Sequence, residues 1–299
     1  VSGSGFQFSH TSVRAYLTCP KQAAFRYVDR RRTPMVHRMA LGRVGHAVTE
    51  LGPRRILAGL PLPTSEEIRD VATSFAEGIM PEVAWAKDED EDRALLAVRG
   101  AAIGEAYLRD VVPLLSVAAV EEPFEANIEG VIVRGRIDLV ETIGVRETKT
   151  KMRAGSAWGE PAERLQLGMY AVVRQPMTAR PLEGAIDTLV MSETKARGRE
   201  VRHLPIILDA DELAAEADAA RAAVRFIAAA TERGDYPRNP TACSTWGEPC
   251  AFLAECMPGR ASAVERAEAL KAEAAAAAPA VEKTSSKAAR ARANAAVVI

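Results

Sequence analysis

Between Val117 and Lys149 the chain carries three short runs rich in Val and Ile: Val117–Ile128, Val131–Val140 and Val145–Lys149. They are separated by Glu129-Gly130 and by a turn ending at Gly144, and they read as an antiparallel meander. The sequence ahead of the meander has helical texture. Stretches at Thr11–Val28 (interrupted at Pro20, with Ser9 or Thr11 as cap), Met39–Leu60 (broken at Pro53), Glu66–Ile79 and Asp92–Leu115 predict an N-terminal helical lobe. After the meander come a helix at Glu160–Arg174, strands at Ala185–Met191 and Glu200–Leu208, and a long helix at Asp209–Arg233. That order predicts an α/β (α+β) fold with a central mixed β-sheet flanked by helices.

Of 299 residues, 48% are hydrophobic and 26% charged, the balance of a globular chain. The longest nearly apolar run, Val111–Val120, is about half the ~20 residues that a membrane helix needs. The first residues carry no signal-peptide pattern, so a cytoplasmic protein is expected. Val1–Gly5 reads as a cloning remnant, and residues 1–8 are expected to lie outside the fold. Residues 260–299 hold 17 Ala in 40 positions with scattered Lys and Arg, so a disordered tail is expected from residue 259 onward.

With 39 Lys+Arg against 40 Asp+Glu, net charge argues weakly against nucleic acid. The distribution is uneven, however. Residues 1–60 hold ten Lys or Arg against only Asp29 and Glu50, while Glu77–Asp92 holds seven acids and one Lys. A neutral chain can still turn one positive face to phosphates. Arg26, Arg30, Arg31, Arg32, Arg38 and Arg43 either grip a nucleic-acid backbone or form a solvated helix surface.

Cys19, Cys243, Cys250 and Cys256 are too few for a disulfide framework in a chain without a secretory pattern. The last three lie among Gly, Pro and turn residues, which is poor core sequence, so a shared metal site is expected.

The segment Gly135–Lys149 carries the chemistry. If its turn is centred between Thr142 and Ile143, Asp138 lies opposite Glu147, and cross-strand Cβ atoms are about 4.5–5.5 Å apart. Two carboxylates so placed can share a divalent cation such as Mg²⁺. Lys149, on the face of Glu147, could position or help deprotonate an attacking water and offset charge on a phosphate. Gln166 and Tyr170 share a helix face four residues apart. His46 follows Gly42 and Gly45, which allow close backbone approach. Read alone, it is either a core histidine or a ligand.

Together these pieces resemble the RecB-type branch of the PD-(D/E)XK nuclease superfamily, and within it the CRISPR-associated iron–sulfur exonucleases and their phage-encoded relatives. The resemblance covers residues 9 to about 258. It rests on Ser9–Pro20 with its closing Cys-Pro, Gly45-His46, Gly135-Arg-Ile-Asp138, Glu147-Thr-Lys149, Gln166-Leu-Gly-Met-Tyr170 and the trailing cysteines. It implies a restriction-endonuclease-like core with a helical insertion at about residues 50–116. His46, Asp138, Glu147 and the Thr148 carbonyl would hold Mg²⁺ or Mn²⁺. Lys149 would serve the water, with Gln166 and Tyr170 orienting the site. Cys19, Cys243, Cys250 and Cys256 would hold a [4Fe–4S] cluster joining the N- and C-terminal segments. Six residues separate Cys243 from Cys250, where many relatives place two.

The activity so implied is exonucleolytic hydrolysis of DNA at single-stranded ends, with recombination or CRISPR-adaptation proteins as partners. Two other readings stay open on the sequence: a non-catalytic DNA-binding or adaptor module on the same fold, and a structural zinc protein.

Overall fold

Capping chemistry sets where the helices begin. In the computed structural model, which describes residues 5–85, 90–152, 160–194, 198–244, 249–263 and 265–266, Ser9 closes a capping box with Ser12 at the head of α1 (His10–Thr18). Pro20 ends that helix as expected and opens α2 (Pro20–Ala23), which runs into a π-helical turn over Ala24–Val28. The break between α3 (His37–Thr49) and α4 (Leu51–Leu57) falls at Glu50, not at Pro53. Pro53 sits in the first turn of α4, where a missing N–H leaves no intrahelical bond unmade. Capping boxes also open α5 (Ser65–Ile79) at Thr64, α7 (Pro161–Arg174) at Glu160 and α8 (Ala210–Glu232) at Asp209. The remaining helices are α6 (Asp90–Asp110) and the short α9 (Leu253–Cys256).

The five strands are β1 (Val117–Ile128), β2 (Val131–Glu141), β3 (Gly144–Lys151), β4 (Glu183–Thr194) and β5 (Gly198–Leu208). They lie in sequence order in one sheet. The first three form the expected antiparallel meander, α7 crosses over to place β4 parallel to β3, and β5 returns antiparallel. The sheet is therefore mixed and has helices on both faces. One face packs Leu189, Met191 and Val201 against α3, α5 and α6. The other packs Ile137, Val145 and Ile186 against α7 and α8, and α1 adds Val13 and Tyr16 to a neighbouring cluster with Ile128, Val133 and Met169.

The chain divides into two compact units, Val1–Ala242 and Cys243–Ile299. The first begins earlier than the sequence suggests. Phe6 and Phe8 are buried, and Phe8 bridges to Val133, its carbonyl accepting the Arg134 N–H at 3.0 Å. Two aromatic side chains bury enough apolar area to dock a segment whose glycines and serines read as linker. In the second unit residues 258–263 are helical, and the expected tail from residue 267 on lies outside the described residues. Among the described residues no helix is long and apolar enough to cross a membrane.

Helix α7 carries part of the candidate site, and Gly168 sets how close it lies to α8. A Cβ at this position would stand 2.2 Å from the Glu216 carbonyl oxygen. Gly168→Ala should therefore cost about 1–3 kcal/mol through forced backbone separation. Gly42→Ala on α3, where nothing lies within 4 Å of the added carbon, should be neutral or stabilising by up to about 1 kcal/mol. Denaturant melts of the two variants check this, and equal effects would refute the close helix contact.

Candidate active site

Strands β2 and β3 pair only at Val140–Val145 and Leu139–Arg146. Continuing that register puts Asp138 opposite Glu147, as the turn position predicts. There the strands part, and a side chain takes over from the ladder: the Asp138 carboxylate accepts the Thr148 N–H at 3.2 Å. Asp138 and Glu147 thus face each other across a cleft that opens within the sheet.

Glu147 is 1% exposed, and its charge is met by three donors. Lys149 donates to one carboxylate oxygen. Gln166 Nε2 and the Tyr170 hydroxyl each donate to the other at 2.7 Å. Lys149 also donates to Gln166 Oε1 at 2.9 Å, and Gln166 Nε2 lies 2.7 Å from the Tyr170 oxygen. The four residues close on one another, with the strand supplying two and one face of α7 the other two. Burial opposes the Glu147 charge, yet the neighbouring Lys149 outweighs it and holds the carboxyl below its usual range. Burial likewise opposes the Lys149 charge, and Glu147 outweighs it, so the ammonium keeps its proton above the usual lysine range. Lys149 thus stands beside Glu147 as a donor and a positive charge. Burial and then the Glu147 charge push the Tyr170 hydroxyl well above its usual range.

Asp138 behaves oppositely. Burial and then the negative charge of Glu147 push its carboxyl well above the aspartate range. His46 completes the cleft, its Nδ1 lying 3.8 Å from Asp138 Oδ2. It is delivered there by Gly45, where a Cβ would stand 2.7 Å from Thr150 Oγ1 on β3, so that α3 rides directly on the strand. Gly42 plays no such part, since nothing lies within 4 Å of its Cβ position. His46, Asp138 and Glu147 each offer one ligand atom, all within 4.8 Å of one another. One imidazole nitrogen and two carboxylate oxygens at that spacing fit a divalent cation with positions left for water and phosphate.

Other expected residues fall elsewhere. Arg30, Arg31 and Arg32 are exposed on the segment after α2, with Arg31 4.8 Å from the Phe25 ring centroid. Arg43 is engaged within the fold, 3.2 Å from Glu82. Cys19 is buried in the first unit, at the junction of α1 and α2. Cys243, Cys250 and Cys256 belong to the second unit, where the Cys250 N–H donates to the Cys243 carbonyl at 2.8 Å. None of the four is joined in a disulfide.

Several site neighbours were missed from sequence. Glu50 and Glu121 form a second group with His46, again within 4.8 Å. The signals were present: Glu50 is one turn beyond His46, and the Glu129-Gly130 turn puts Glu121 opposite Asp138. Glu121 adopts φ +53° there. His10, at the start of α1, donates from Nε2 to the Ala162 carbonyl at 3.1 Å. Burial and then the charge of Lys149 hold its imidazole down at about 4, so it is neutral at pH 7. Nothing in its sequence context marks it.

The raised Asp138 carboxyl gives a signed prediction. Without a cation the folded state binds this proton more tightly than the unfolded chain does. The residue's contribution to stability therefore falls as pH rises from the ordinary aspartate range toward the raised value. A cation must displace the same proton, so cation affinity should rise with pH over that window. Asp138→Asn keeps an acceptor for the Thr148 N–H. It should melt about 3 °C above wild type in chelator at neutral pH and lose the stabilisation that Mn²⁺ gives wild type. An Mn²⁺ affinity that stays flat with pH would refute this account.

The sequence profile of the PD-(D/E)XK nuclease superfamily matches residues 7–257. No curated protein sequence matches the chain. Among solved structures, the crystal structure of a "putative exonuclease" from Eubacterium rectale is similar, with a TM-score of 0.55 and 9% identity over 85% of this chain and 94% of that one. At that identity the likeness is one of fold, and it agrees with the mixed sheet flanked by helices. The profile spans most of the chain, and the chain belongs to the PD-(D/E)XK nuclease superfamily.

Proposed function

We propose that the chain is a Mg²⁺- or Mn²⁺-dependent deoxyribonuclease that degrades DNA exonucleolytically from single-stranded ends. One observation carries the reading: a His–Asp–Glu donor set within 4.8 Å sits beside a lysine that is bonded to the same glutamate. A binding module has no need of that combination, because the buried charges cost desolvation and contribute nothing to holding DNA. The preference for single-stranded ends rests on the resemblance to the RecB-type iron–sulfur exonucleases, as does a role beside recombination or CRISPR-adaptation proteins.

His46, Asp138, Glu147 and the Thr148 carbonyl would hold the cation, which supplies Lewis acidity to a phosphoryl oxygen when bound. The chain's own residues do the rest. Lys149, held protonated, would donate to a phosphate oxygen and offset the charge that builds there as water adds to phosphorus. The P–O bond to the departing sugar oxygen breaks, and the proton lost by the water is matched by the one that oxygen gains. Gln166 fixes the Lys149 ammonium and the Glu147 carboxylate at once, so that both keep one orientation. Tyr170 stays protonated and locks the second glutamate oxygen. Arg30, Arg31 and Arg32 are exposed, with Arg31 3.8 Å from Asp29, and would meet backbone phosphates, which position a strand without reading it. Arg43 would have to leave Glu82 to do so.

A [4Fe–4S] cluster on Cys19, Cys243, Cys250 and Cys256 is part of the same proposal. The ligand chemistry fits, since such clusters take four thiolates and none of the four cysteines is joined in a disulfide. Within the first unit the chain after α8 is tied to the Cys19 segment. Tyr16 donates to the Asp235 carbonyl, the Lys21 N–H to the Pro237 carbonyl, and Asn239 to the Thr18 carbonyl. Asn239 precedes Cys243 by only four residues. Phosphodiester hydrolysis moves no electrons, so the cluster's role is structural.

Glu147→Gln and Lys149→Met should each lower turnover on single-stranded DNA at least about 10³-fold while leaving the fold intact. Chelation should stop the wild type, and Mn²⁺ should restore it. Wild-type turnover in either variant would place the chemistry elsewhere, and DNA binding without any cleavage would favour an adaptor. Cys256→Ser should lose visible absorption and melt lower, with turnover per folded molecule little changed. A colourless, zinc-loaded wild type from anaerobic preparation would overturn the cluster.

A further inference from the structure

Strand β3 is charged on both faces. Opposite Glu147 and Lys149, on the face toward α3 and α6, Arg146 is 9% exposed and reaches two carboxylates. Its Nε donates to Glu141 at the end of β2 (2.9 Å), and its Nη1 donates to both oxygens of Asp187 on β4 (2.9 and 3.1 Å). Asp187 is fully buried, and His203 Nε2 on β5 lies 2.7 Å from it. Glu141 also accepts the Ser116 N–H at 3.1 Å. One buried polar cluster therefore spans β2, β3, β4 and β5.

Its position matters more than its strength. A buried ion pair seldom stabilises a fold more than apolar residues of the same size would, and the surrounding sheet is already lined with Val, Ile and Leu. Arg146 is, however, the last ladder-paired residue of β3 before β2 departs. From there β3 continues with β4 as far as Lys151–Val190. The cleft between Asp138 and Glu147 is thus an angle between β2 and the β3–β4 pair, hinged on two ladder pairs. The Glu141–Arg146–Asp187 chain crosses that hinge with a planar, directional guanidinium.

We propose that Asp187, Arg146 and Glu141 are positioning residues that set the opening between β2 and β3, and with it the spacing of the Asp138 and Glu147 carboxylates. The inference rests on the reading of those carboxylates as cation ligands. None of the three touches the reacting atoms. They act from behind the strand, as partners beyond the direct ligands do in other metal sites, where losing one typically weakens metal binding about 10–100-fold.

The test uses the full chain, with Mn²⁺ as probe and exchange of the Thr148 amide as a second readout that needs no cation. Arg146→Lys keeps the charge and loses the fork. It should bind Mn²⁺ about tenfold more weakly per folded molecule and exchange the Thr148 amide about tenfold faster. The double variant Arg146→Met/Asp187→Leu should melt within a few degrees of wild type in chelator and show the same two losses. Wild-type Mn²⁺ affinity and Thr148 protection in a folded variant would overturn the proposal. So would failure of the double variant to fold, which would make the cluster a stability element. If wild type itself takes up no Mn²⁺, the cation reading falls, and Thr148 exchange alone decides the positioning role.

Discussion

Everything at the candidate site depends on keeping one buried carboxylate charged. Glu147 is cut off from water, and an unpaired carboxylate there would take up a proton. Lys149, Gln166 and Tyr170 prevent that by donating to it from two elements. The requirement reaches outward. Gln166 and Tyr170 must lie one turn apart on α7, α7 must lie close to the sheet, and α8 must lie close to α7. Gly168, between the two polar residues, allows the last of these. A short motif on one helix thus serves chemistry on one side and packing on the other.

Across the cleft, Asp138 has no comparable set of donors. It has the Thr148 N–H and a distant imidazole, and its neighbour Glu147 is negative. Two carboxylates with such unequal surroundings do not share charge equally: Lys149 lowers the Glu147 carboxyl, while burial and the Glu147 charge raise that of Asp138. Crowding them costs stability in the cation-free fold, and a divalent cation bound between them would offset that cost. A site optimised for the cation-free fold would have replaced Asp138 with an amide.

Most of the element order was legible from residues. Alternation and turn chemistry gave the meander and the Asp138–Glu147 register, because a two-residue period and a short turn leave one pairing that buries the Val and Ile face. The start of α1 followed Ser9, since capping is local. What failed was non-local. Pro53 was misread as a break because its tolerance depends on where the first turn of α4 begins. Phe8 reads as part of a linker because its partners, Val133 and Arg134, lie far along the chain. Arg146 and Asp187 went unnoticed for the same reason. Asp187 reads as a stray charge in an apolar strand, and Arg146 as one charge among several on β3, until β3 and β4 are laid side by side.

Lys149 shows how surroundings decide a role that residue type leaves open. The sequence allows a lysine beside a metal to be a base or a donor, since the side chain does both in different settings. Burial alone would favour the neutral amine and the base. The Glu147 contact is stronger than that tendency and leaves the ammonium charged. Gln166 then presents its oxygen, not its nitrogen, to Lys149, and its nitrogen to Glu147. The amide orientation agrees with an ionised glutamate beside a protonated lysine. The side chain thus holds positive charge at a fixed place beside Glu147.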